Sequence, residues 1–214
     1  MTDPTAFVQT NTALLAPPLV PEVKLHLATE VVPLWRKTEE ELEADGVPPP
    51  YWAFAWAGGQ ALARYVLDNP NIVSGKLVLD FGAGSGLVGI AAMKAGAERV
   101  QAADIDPFAI AAIKLNALAN SALIATADHD LIGAEGKWRV ILVGDMCYER
   151  PLAERLLAWL TERAQSGTMV LLGDPGRSYF PKGGVTKLAT YHVQTTRDLE
   201  DREIRETSVY RLTV

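Results

Sequence analysis

Hydrophobic positions along the chain switch period several times, and each switch predicts an element. Gln60–Asp68 carries Ala61, Leu62, Tyr65 and Val66 at helical spacing and stops at Asn69-Pro70. Leu77–Phe81 is a short apolar run entering a glycine-rich loop, which predicts a buried parallel strand. Leu87–Ala95 reads as a helix closed by Gly96, and Arg99–Ala103 as the next strand. Asp106-Pro107 supplies an N-cap followed by proline at the first helical position, opening a helix to about Asn120. Leu123–Thr126 and Trp138–Val143 read as a third and a fourth strand. Pro151 opens another helix, with Leu152, Leu156, Trp159 and Leu160 on one stripe, and Thr168–Leu172 is a fifth strand. Leu188–Thr196 and Ile204–Val214 are β-rich on either side of the charged turn Arg197–Arg202, which predicts an antiparallel pair at the sheet edge. The whole pattern predicts an α/β domain with a doubly wound, mostly parallel sheet and an antiparallel C-terminal hairpin.

The first 47 residues follow no such alternation. Pro17, Pro18, Pro21 and Pro33 cut them into short pieces, so we expect an irregular extension packed on the domain formed by residues 48–214. Within it, Val23–Thr29 and Glu30–Trp35 alternate as a hairpin or an edge element would, and Thr38 with Glu41 has capping-box spacing. Docking of a protein substrate is the role we expect for this extension.

Composition narrows the function. The chain has 214 residues, is 49% hydrophobic and carries 20 Lys and Arg against 26 Asp and Glu, a net charge of −6. That balance argues against nucleic acid as a partner, which calls for a basic face. A single cysteine, Cys147, excludes an internal disulfide and a cysteine-based zinc site. The three histidines show no i, i+4 pairing, so no metal is expected. No apolar run reaches the roughly 20 residues that span a bilayer. The N-terminus reads as neither signal nor transit peptide, so the expectation is a cytoplasmic, monomeric protein.

The candidate chemistry lies in Asp80-Phe81-Gly82-Ala83-Gly84-Ser85-Gly86, the loop after the first sheet strand. Two registers fit its glycines. Gly82-x-Gly84-x-Gly86 behind Asp80 suits a methyltransferase, whereas Gly84-x-Gly86-x-x-Gly89 satisfies the dinucleotide fingerprint of an NAD-dependent reductase. Asp80 favours the first. A carboxylate closing that strand can hold the ammonium end of a methionine moiety and would repel a diphosphate. Asp104 ends the second strand, 22 positions after Gly82, where a carboxylate can accept both ribose hydroxyls of an adenosine. Asp106, two residues on, reads as the helix cap. The loop Gly144-Asp145-Met146-Cys147-Tyr148 after strand four places an acid and a tyrosine where an acceptor pocket would open. Cys147 reads as a buried small residue, not a nucleophile. Asp174 and Arg177, in the loop after strand five, open onto the same edge.

These residues resemble a known family. Asp80–Gly86, Asp104 and the strand–helix order look like the class I, seven-β-strand S-adenosylmethionine-dependent methyltransferases, with their Rossmann-like sheet. The stretch from Pro49 through Tyr51-Trp52-Ala53-Phe54-Ala55-Trp56 to Leu62, the pair Asp145-x-x-Tyr148, and Gly173-Asp174-Pro175-Gly176-Arg177 resemble, more narrowly, the lysine methyltransferases of the electron transfer flavoprotein β-subunit. The likeness runs from about Pro48 to the C-terminus. Ala57 stands where that family has proline. The resemblance implies S-adenosylmethionine contacts from Trp56, Gly82, Ala83, Gly84, Gly86, Asp104 and Gly144 beside Asp80, and a lysine site formed by Asp145 and Tyr148. It implies a protein substrate, the flavoprotein β-subunit. A class I methyltransferase acting on another protein or a small molecule, and a cofactor-binding scaffold without activity, are the alternatives.

Overall fold

In the computed structural model, which describes residues 3–28, 48–195 and 204–213, the chain opens with helix α1 (Pro4–Thr10). Asp3 Oδ1 accepts the Thr5 N–H at 3.0 Å and Pro4 enters the first turn. The N-terminal segment is therefore not wholly irregular. Asp3-Pro4 is the same cap-plus-proline signal that opens the helix at Pro107, here inside a proline-rich stretch that reads as breakers. Strands β1 (Ala13–Leu15) and β2 (Leu25–Leu27) then pair antiparallel. The hairpin expectation for Glu30–Trp35, the capping box at Thr38 and the charged turn Arg197–Arg202 all lie outside the described residues.

After a single 3-10 turn at Tyr51–Ala53, helix α2 (Ala57–Asp68) precedes the alternating region. Its order is β3 (Leu77–Phe81), α3 (Leu87–Lys94), β4 (Arg99–Ala103), α4 (Pro107–Ala119), β5 (Ile124–Ala127), β6 (Val140–Gly144), α5 (Arg150–Gln165) and β7 (Met169–Asp174). The hairpin β8 (Val185–Gln194) and β9 (Ile204–Leu212) closes the chain. One seven-stranded sheet results, ordered β5-β4-β3-β6-β7-β9-β8, with β9 antiparallel to β7 and β8 at the edge. This is the doubly wound, mostly parallel sheet that the pattern predicts.

The apolar runs are continuous because both faces of the sheet are covered. Val78, Val100, Leu142 and Leu171 pack with Leu62 and Val66 of α2 and Ile90 of α3. Their neighbours Leu79, Ile141, Val143 and Leu172 point the other way, onto Leu156, Trp159 and Leu160 of α5. Residues 3–28 lie along α4. Phe7 and Val8 pack with Trp52 and Phe108, and Val20, Val23 and Leu25 join the larger core.

Register places the functional edge. Phe81 pairs with Ala103 on one side and Val143 on the other, and Gly144 pairs with Gly173. The carboxyl ends of β3, β4, β6 and β7 therefore finish together, which is where open α/β sheets bind ligands. No helix among the described residues is long and apolar enough to cross a membrane.

Candidate active site

At that edge lies a cleft, open to solvent and lined by Trp56, Asp80, the loop Gly82–Ser85, Gly144 and Asp145. The turn out of β3 needs a left-handed residue at Gly82, where φ is +63°. A Cβ there would also overlap Met146 Sδ. The loop is held from beside it by Asp104, whose Oδ2 accepts the Gly84 N–H at 2.8 Å while Oδ1 accepts the Asp106 N–H at 3.0 Å. Asp106 caps α4 through the Phe108 N–H at 2.8 Å, as its sequence position predicts.

Asp80 is 2% exposed, and its Oδ2 accepts the Gly89 N–H in the first turn of α3 at 2.7 Å. It thus caps a helix and lines the cleft at once. Burial raises its carboxyl to about 8, aided by the nearby Asp104 charge and opposed by the Gly89 bond. Burial likewise raises Asp106 and Asp174, each to about 6. This edge of the sheet gathers carboxyl groups that disfavour one another's charge, a setting that a bound cation relieves. Gly89, the third glycine of the dinucleotide register, donates its N–H to this carboxyl and packs α3 closely against Asp80 and Val100.

The acceptor side is built from the loops after β6 and β7. Asp145 adopts φ +57°, a left-handed conformation that aspartate tolerates better than most residues. Its N–H donates to the Gly173 carbonyl at 2.9 Å. Oδ2 accepts the Gly59 N–H at the start of α2 at 3.0 Å. Oδ1 accepts from Arg177 Nη2 at 2.8 Å and Nε at 3.1 Å. The Arg177 guanidinium also lies 5.6 Å from the centre of the Trp56 ring. Asp174 Oδ1 takes the backbone N–H groups of Gly176 and Arg177, both at 2.7 Å, and so shapes the turn that delivers this arginine. Gly58 and Gly173 let α2 close onto the strand ends, since a Cβ on either would strike the carbonyl oxygen of the other. Above this floor Tyr51, Trp56 and Tyr148 form an aromatic rim, with Tyr51 5.8 Å from Tyr148 and 6.1 Å from Trp56. Burial, first of all, raises the Tyr148 hydroxyl above its ordinary range.

Of the residues singled out from sequence, Trp56, Asp80, Gly82, Ala83, Gly84, Gly144 and Asp145 line the cleft itself. Asp104 stands beside it, behind Gly84, and Tyr148 at its exposed rim. Gly86 serves as the N-cap of α3, packed against Ile113 of α4. Cys147 is buried, and burial with Asp174 and Asp145 nearby pushes its thiol to about 12, so it stays protonated. Sequence reasoning singled out Arg177 without its partner and missed Gly59 and Asn116. Asn116, fully buried in α4, donates to the Ser85 carbonyl at 2.8 Å and accepts the His26 N–H at 2.7 Å. The signal was a lone amide inside an apolar helical stripe, which buries only with partners. No group of three or more metal-binding side chains clusters among the described residues.

The family model for ribosomal protein L11 methyltransferase (PrmA) matches residues 60–142. The chain is 42% identical over 216 residues to the electron transfer flavoprotein beta subunit lysine methyltransferase of Xenopus laevis, covering 98% of this chain and 87% of the relative. It is 42% identical over 181 residues to the human protein of the same name, covering 82% and 67%. Magnesium protoporphyrin IX methyltransferase from Synechocystis PCC 6803, solved with bound SAM, shares the fold at a TM-score of 0.54 and 17% identity, covering 73% of this chain and 78% of that one.

Proposed function

The chain belongs to the electron transfer flavoprotein β-subunit lysine methyltransferase family, and from that premise we propose that its acceptor is a lysine of such a β-subunit. The family makes it a class I enzyme that methylates protein lysine with S-adenosylmethionine. The observation that carries the substrate is the 42% identity to the Xenopus laevis relative along 98% of the chain.

The residues present fit the cofactor. Asp80 would receive its ammonium end, Asp104 its ribose hydroxyls, and the Gly82–Ser85 backbone and Trp56 its remaining length. When bound, S-adenosylmethionine supplies a methyl group carried on a positively charged sulfonium. What remains for the protein is to present a neutral amine in line. A free lysine has a pKa near 10.4, so roughly 0.04% is neutral at pH 7. In this reading Asp145 captures and aligns the lysine, Tyr148 and Tyr51 wall its channel, and the proton leaves to water. Orientation and a partly dry channel then do most of the catalysis.

The net charge of −6 supports an enzyme that works without nucleic acid, and we take it to act as a cytoplasmic monomer away from membranes. Incubation with methyl-labelled cofactor and purified flavoprotein, followed by mass spectrometry, should place label on β-subunit lysines. Label on other proteins only, or on none, overturns the substrate assignment. Asp145→Asn with near-normal turnover overturns the role of Asp145.

A further inference from the structure

We propose that Arg177 is a positioning residue for the acceptor lysine: it fixes the Asp145 carboxylate and counters its charge, so that the amine is aligned without being locked in its protonated form. This rests on Asp145 being the group that meets the lysine.

An acid at an amine-methylating site raises a conflict. The charge that draws an ammonium in also stabilises the ammonium, and an opposite charge within bonding reach raises a lysine pKa. The structure sets a counterweight against that charge. Arg177 gives both Nε and Nη2 to Asp145 Oδ1, at 3.1 and 2.8 Å, in a pair whose side chains are only 19% and 10% exposed. Solvent screens such a pair weakly. Gly59 N–H engages the other oxygen, so the carboxylate orientation is fixed from both sides. Arg177 is itself fixed by its own backbone N–H on Asp174 and by the Trp56 ring. It therefore ties the cofactor cleft wall, the acceptor acid and the turn after β7 into one unit. Guanidinium suits this task because it stays charged at any working pH.

The surrounding groups leave the lysine visible in a pH profile. Asp174, from the end of β7, is raised only to about 6, while Cys147 in the loop after β6 is raised to about 12. Tyr148 is raised above its ordinary range, with Tyr51, Glu149 and Asp104 near it. Asp80, raised to about 8 in the empty cleft, would be held ionised by the ammonium of saturating S-adenosylmethionine, so between pH 7 and 9.5 the amine is the group expected to titrate.

The test measures kcat against pH on the flavoprotein substrate at saturating S-adenosylmethionine, for wild type, Arg177→Gln, Asp145→Asn and the double variant. Arg177→Gln should move the apparent pKa of kcat upward by about one unit or more, recover activity at high pH, and leave KM for the protein unchanged or lower. S-adenosylhomocysteine affinity should stay within about twofold. In the Asp145→Asn background, where no carboxylate remains to counter, adding Arg177→Gln should leave the pKa of the residual kcat unmoved. That comparison stands even if Arg177→Gln alone fails to fold. An equal loss of kcat at every pH, or a further shift of pKa in the Asn background, overturns the proposal. Near-normal turnover by Asp145→Asn sinks the reading of Asp145 instead, so the two failures are distinguishable.

Discussion

Asp80 carries a carboxyl that burial holds near 8, so at pH 7 it is mostly protonated before any ligand arrives. The sign of its pH effect follows. In the unfolded chain the group ionises near its ordinary 3.8, so the fold loses stability as pH rises from about 4 to about 8. A ligand ammonium would favour the carboxylate, so binding S-adenosylmethionine or S-adenosylhomocysteine near pH 7 should release a proton. Calorimetry in two buffers of different ionisation enthalpy should detect that release in wild type and lose it in Asp80→Asn. The amide can still accept the Gly89 N–H, so the variant should fold, while cofactor affinity falls at least about tenfold. Identical proton release in both proteins would remove Asp80 from the ammonium site. Gly58 is decided by space. In Gly58→Ala the new Cβ would strike the Gly173 carbonyl and Asp145 Oδ2. We expect a loss of about 1–3 kcal/mol in urea unfolding. Methylation should fall further than stability explains, because the displaced atom belongs to Asp145.

Among the elements, α4 does more than cover the sheet. Its Asn116 joins the Ser85 carbonyl in the cofactor loop to the His26 N–H in β2, and Asn120 accepts the Lys24 N–H at 3.0 Å and donates to the Lys24 carbonyl at 2.6 Å. Asn116 and Asn120, the C-cap of α4, thus hold β2 and the residue before it by their backbone. Asn116→Ala leaves a buried carbonyl and a partly buried N–H without this partner and should cost about 2–4 kcal/mol in denaturant unfolding. A value under about 0.5 kcal/mol would mean that neither bond matters. This helix also marks what the sequence disclosed. Its cap, its proline and its apolar stripe are local signals, and local signals located α3, α4, α5 and the strands of the seven-stranded sheet to within one to a few residues, while β1 went unread. The Asp145–Arg177 pair and the Asn116 link join residues 32 and 90 positions apart. Only the closed fold brings such partners together, so a single sequence marks the residues and not the bonds. Arg177 was visible as a charge in a turn. That it turns onto Asp145 was not.

Across the whole molecule, residues 3–28 are stitched to the cofactor side. Phe7 and Val8 close the cluster around Trp52 and Phe108, and Ala28 N–H donates to the Ala53 carbonyl at 2.9 Å beside the aromatic rim. These contacts turn the expectation for this segment from docking toward support. Removing residues 1–28 should lower the thermal midpoint and cofactor affinity together. Normal cofactor affinity with weakened methylation would restore docking as its task. The central claim, methyl transfer to a β-subunit lysine through an acidic cofactor cleft and an arginine-held acceptor acid, is tested most directly in the host cell. Intact-mass spectrometry of the electron transfer flavoprotein β-subunit, with this gene deleted and then restored, reads the modification itself. The account predicts loss of methyl mass on deletion, return with wild type, and no return with Asp80→Asn or Asp145→Asn. An unchanged β-subunit mass in the deletion strain would contradict it.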